Sequence, residues 1–149
     1  MVRRQRPGPA LTLLLAILAG AADAADDGAG SVLTAGEMRA RHPHDPARPA
    51  TVAEIARTRQ TSSNFWQMTG GMADHLHQRH EEIIIVLEGH AQVRVGKTRT
   101  LAGPGDVLVV PPGTPHAARV EGAETFRGIS VFTPPYDPAD RVPVAEPVP

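Results

Sequence analysis

The chain reads as an all-β protein, a sandwich or barrel of antiparallel strands preceded by a short helical or irregular segment. Three observations predict this. From position 64 onward, short runs rich in Val, Ile, Thr and aromatic residues follow one another at close, even spacing. Gly- and Pro-bearing turns separate them: Gly70-Gly71, Glu88-Gly89, Gly96-Lys97, Gly103-Pro104-Gly105 and the stretch 111–115. Ala91-Gln92-Val93-Arg94-Val95 alternates with period two, as a strand with one face inside and one outside must. At 149 residues there is room for one domain with a real core.

The N-terminus stands apart from that domain. Arg3, Arg4 and Arg6 precede an apolar run over 10–19 and a small-residue Ala22-Asp23-Ala24 site. This is the pattern of a cleaved secretory signal peptide over residues 1–24. The apolar run falls far short of the ~18–20 residues a spanning helix needs. The expected product is a periplasmic or secreted protein, free of the membrane once the signal is removed. Cleavage would move the formal charge from −1 to −3, because the segment holds three Arg and one Asp. A mildly acidic domain lacks the basic footprint of a nucleic-acid binder. There are no cysteines, so neither disulfides nor thiolate ligands are available.

Residues 25–50 are expected to be a flexible N-terminal segment, rich in Ala, Asp and Gly at first. Thr34-Ala35-Gly36-Glu37 has capping-box spacing, which predicts a short helix near 35–41. His42 and His44 sit among prolines that break any strand able to aim both rings one way, and read as loop residues. The stretch 51–58 is open between a helical turn and an edge strand. The barrel is placed at 51–133, with strands expected at 64–69, 73–76, 83–87, 91–95, 98–101, 107–110, 117–120 and 125–132. Residues 134–149 read as a Pro-rich tail.

Two segments carry the chemistry. In the first, His75 and His77 share one face of a strand, and Glu82 opens the next strand after a tight connection. In the second, Gly105 and Pro111-Pro112-Gly113 lead into His116 at the start of another strand. Glycine supplies the tight backbone and proline stiffens it, so the last imidazole is held in place. Three neutral imidazoles and a carboxylate suit Fe, Mn, Ni, Cu or Zn as divalent ions better than Ca²⁺ or Mg²⁺.

These segments resemble the two motifs of the cupins, G-x5-H-x-H-x3,4-E-x6-G and G-x5-P-x-G-x2-H-x3-N. The resemblance covers roughly residues 60–133 and implies a double-stranded β-helix, or jelly-roll, barrel. It carries over a metal-ligand set of His75, His77, Glu82 and His116. Glu81 competes with Glu82, but only Glu82 leaves six residues before Gly89. Two positions depart from the motifs: Thr69 stands where the leading glycine falls, and Val120 replaces the closing Asn. Neither is a ligand in the family.

A four-ligand site leaves coordination positions open for a small molecule. The resemblance therefore implies a dioxygenase, isomerase or lyase acting on a small oxygenated molecule. The alternative is a non-catalytic metal- or ligand-binding protein. No catalytic residue can be assigned; His80 and Glu81 are weak candidates for a base, and His80 and His90 otherwise read as surface positions. Phe65, Trp66 and Met68 read as packing residues. Finally, if Glu82 points inward, Ile83, Ile85 and Leu87 point outward. Their cover is expected to be a second copy in a homodimer or the segment 52–55.

Overall fold

The computed structural model describes residues 30–145. The expectations for the signal peptide and the first mature residues lie outside that range. Helix α1 (Ala35–Arg41) begins with the predicted capping box: Glu37 N–H donates to Thr34 Oγ1 at 3.3 Å, and Thr34 N–H donates to Glu37 Oε2 at 2.9 Å. Ten strands follow: β1 (Ala50–Arg57), β2 (Ser62–Met68), β3 (Gly71–His77), β4 (Glu81–Glu88), β5 (Ala91–Val95), β6 (Thr98–Ala102), β7 (Val107–Val110), β8 (His116–Val120), β9 (Phe126–Thr133) and β10 (Arg141–Pro143).

They form two antiparallel five-stranded sheets, ordered β1-β2-β9-β4-β7 and β10-β3-β8-β5-β6. This is the double-stranded β-helix barrel that the sequence predicts. The open question at 51–58 resolves as an edge strand, because β1 pairs with β2 along its length. The tail behaves differently from expectation. A 3-10 turn at Pro138–Asp140 leads into β10, which pairs with β3 and extends the second sheet. Pro143 is tolerated there because β10 is an edge strand, where a missing N–H costs no ladder bond.

One end of the barrel is a conventional core of Trp66, Met68, Val86, Ala91, Val93, Ala102 and Phe126. The Trp66 and Phe126 ring centroids are 5.0 Å apart. Trp66 lies so close over Gly128 that a Cβ at that position would overlap the indole. On the outer face of the first sheet, Met38 of α1 is buried, and Gln67 donates to His42 O at 2.6 Å. Helix α1 thus covers the β2 side of that face. The segment 52–55 cannot cover it, because β1 lies in the plane of the sheet as its edge strand. Ile85, Val107 and Val109 remain 36%, 57% and 54% exposed.

Candidate metal centre

The second sheet brings the imidazoles together. In β3, His75 and His77 share the inner face, and His75 lies directly across the ladder from His116 of β8. The ladder slips between Met72 and His75, a bulge that re-aims the strand just ahead of the first imidazole. The turn over 111–115 is tied back to β3, with Gly113 N–H donating to His77 O at 2.6 Å. Gly113 adopts φ +74°, a conformation other residues rarely take, so the motif glycine is needed where it stands. From the facing sheet, β4 directs Glu82 inward and leaves Glu81 exposed.

His75, His77 and His116 each place a ring nitrogen within 4.8 Å of the others, and all are buried. Glu82 Oε2 joins them, 3.1 Å from His116 Nε2 and 3.5 Å from His77 Nε2. The tautomers suit coordination. His75 Nδ1–H donates to Ala73 O at 2.9 Å, and His116 Nδ1–H donates to Thr114 O at 3.1 Å. Both rings therefore present Nε2 as a lone pair. Glu82 Oε2 is buried and makes no well-formed hydrogen bond. Three imidazoles and one carboxylate oxygen crowded together at this spacing are an arrangement that a single cation can bridge. The donor set fits a divalent transition metal.

The electrostatics agree. Burial, followed by the charge of His116, lowers His75 to about 4, so the ring is neutral and free to coordinate at neutral pH. Burial pushes Glu82 up, but the neighbouring His116 and His77 rings outweigh it and hold the carboxyl at about 2.

His80 departs from expectation. It is 2% exposed rather than solvated, with Nε2 3.1 Å from Pro135 O and Nδ1 against the Asp140 carboxylate. Asp140 is also buried, and it accepts the backbone N–H of Arg79 at 3.1 Å and of His80 at 3.2 Å. Burial pushes the Asp140 carboxyl up, but these donors outweigh it and hold it well below the usual carboxylate range. His77, His80 and Asp140 form a second close group, which braces the connection between β3 and β4. His90 is half-exposed, as expected, and His42 and His44 belong to neither group.

The four residues open onto a cavity of about 400 Å³. Trp66 and Met68 line its wall, whereas Phe65 packs on the other side of the sheet. Asn64, Ser130, Tyr136 and Arg141 also line it, and none of them was apparent from the sequence. For the last two, the only local signal was Asp137-Pro138, an N-cap followed by proline, which marks a turn rather than a tail.

Residues 66–132, which contain the whole donor set, match the family described as Cupin domain. That match supports a place in the cupin superfamily, and the double-stranded β-helix fold agrees with it. Quercetin 2,3-dioxygenase of Bacillus subtilis (strain 168) is 31% identical, over 64% of this chain and 33% of its own length. The chain thus spans about a third of that relative. The cupin barrel also resembles KdgF from Halomonas sp., at 25% identity and TM-score 0.56, over 61% of this chain and 85% of that one. An uncharacterised conserved protein with a double-stranded β-helix domain from Klebsiella pneumoniae shares the fold, at 20% identity and TM-score 0.65. It covers 79% of this chain and 100% of its own.

Proposed function

We propose that this cupin is exported and holds one divalent transition metal, Fe, Mn, Ni, Cu or Zn, through His75, His77, Glu82 and His116. It would act there on a small oxygenated molecule, as a dioxygenase, isomerase or lyase. The observation that carries the reading is the buried Glu82 Oε2 packed against the imidazole cluster, in which His75 and His116 have Nδ1 engaged by backbone carbonyls and so turn Nε2 inward. When bound, such a metal supplies Lewis-acid chemistry and a means of engaging dioxygen. The protein's part is to hold the donors, exclude bulk water with the Phe132 and Tyr136 rings beside His77, and seat the molecule against the apolar wall. The similarity to a quercetin dioxygenase favours the oxygenase form over the other two.

The arrangement around the site supports a second reading, a non-catalytic binding protein. His80 has both ring nitrogens engaged and Glu81 faces solvent, so neither weak candidate for a base is available to a molecule in the cavity. Metal analysis followed by oxygen-uptake and product assays on small diols, keto acids and flavonols separates the two. Turnover that depends on the metal supports the enzyme. Stoichiometric metal without turnover favours the binding protein. Export is tested by the intact mass of native material, which should begin near Ala25; a soluble product retaining residues 1–24 would contradict it.

The exposed Ile85, Val107 and Val109 lie side by side, since Ile85 pairs with Val107 and Ile83 with Val109. Apolar neighbours on the outer face of an edge strand favour a homodimer through this face.

A further inference from the structure

Strand β10 carries a cation into the cavity. Arg141 lies directly opposite His77 in the antiparallel ladder, so its side chain shares the inner face with the imidazoles. The side chain is half-buried and lines the cavity with the donor set. Its guanidinium donates from Nη2 to Met72 Sδ at 3.2 Å, and a thioether is a weak acceptor that leaves most of the fork unmatched. Among the described residues no carboxylate pairs with it. The acids around it are committed: Asp140 to Arg79 and His80, Asp137 to Arg79, Glu54 to Arg57, and Asp74 to Arg94. Arg141 is close enough for its charge to be felt at both His75 and Tyr136.

With a divalent ion on the four donors, Glu82 supplies the donor set's one negative charge, and Arg141 adds a further positive one. With or without the ion, a half-buried guanidinium that no carboxylate neutralises attracts an anion, and a bound metal adds to that pull. Beside the polar Asn64, Ser130 and Tyr136, the cavity has an apolar wall of Trp66, Met68, Ile84, Leu108, Phe126 and Phe132, which suits a flat or aliphatic body. We propose that Arg141 receives a carboxylate of the bound molecule, which makes small apolar carboxylates the ligand class of this site. The planar fork donates to both carboxylate oxygens at once, while the body of the molecule lies along the wall toward the metal donors. This deepens the metal-centre reading above and rests on it for the orientation of the ligand, but not for the charge preference.

Benzoate and its neutral isostere benzamide are suitable probes, titrated calorimetrically into metal-loaded and metal-free protein, with metal content measured in parallel. Wild type should bind benzoate about tenfold or more tighter than benzamide in both forms. Arg141→Gln should abolish that preference, leave benzamide within about twofold, and leave metal content unchanged. Arg141→Lys should keep part of it, as a point charge without the fork. A preference that persists in Arg141→Gln, equal binding of the two probes by wild type, or benzoate binding weaker than about 10 mM would each overturn the proposal. A protein that takes up no metal yet prefers benzoate through Arg141 would refute the metal centre and keep this inference.

Discussion

The two sheets that face each other across the cavity differ in what they bury. The inner face of β10-β3-β8-β5-β6 presents three imidazoles and a guanidinium, from His75, His77, His116 and Arg141. The inner face of β1-β2-β9-β4-β7 presents aromatic and aliphatic groups with one deep carboxylate, Glu82, beside Asn64 and Ser130. One sheet supplies donors and charge, and the other supplies shape and the single counter-charge. Buried ionisable groups are costly unless matched, so three imidazoles on one sheet, opposite one acid on the other, mark the candidate site.

The apolar sheet should carry the larger stability effects. Trp66→Ala removes the indole that packs on Phe126 and over Gly128, and should cost about 3–5 kcal/mol in denaturant unfolding. A loss under about 1 kcal/mol would mean that this sheet does not anchor the core. Next comes Asp140→Ala, which strips a partner from the buried backbone N–H of His80 and from the part-buried one of Arg79; about 1–3 kcal/mol is expected for the buried group left unpaired.

Asp140 also sets the sign of an acid effect. Its carboxyl is lower in the folded protein than in the unfolded chain, so its contribution is fully present above the unfolded value, about 3.9, and fades as pH falls further. Urea titrations of metal-free protein should show wild type losing stability below about pH 4 more steeply than Asp140→Asn. Parallel curves would remove Asp140 from the account. The smallest effect belongs to Glu81→Ala, an exposed change expected to stay within about 0.5 kcal/mol and to leave metal content unaltered.

The same division explains what was legible in the sequence. Strands β5 and β7 lie where their runs end in turns, because Val93 and Val95 alternate cleanly with Gln92 and Arg94 and Gly105 marks the entry to β7. The clustering of these side chains was legible too: His75 and His77 obey the two-residue strand period, and Glu82 and His116 follow connections of fixed length. Arg141 was hidden, because Pro143 and the nearby prolines argue against a strand, and only pairing with β3 creates one. His80 was misjudged for a related reason. Its position in a connection implies solvent, and the partner that buries it, Asp140, lies sixty residues away. Local period and turn chemistry reveal contacts made within a motif; they are silent on contacts closed by distant chain.

The most direct test of the central claim is metal stoichiometry across the adjacent carboxylates. Wild type and Glu81→Ala should each retain one transition-metal ion per chain through dialysis against a weak chelator. Glu82→Ala and His116→Ala should lose it, with affinity reduced by about a hundredfold or more. Equal losses in Glu81→Ala and Glu82→Ala, or a wild type that binds no transition metal, would contradict the assignment of this site.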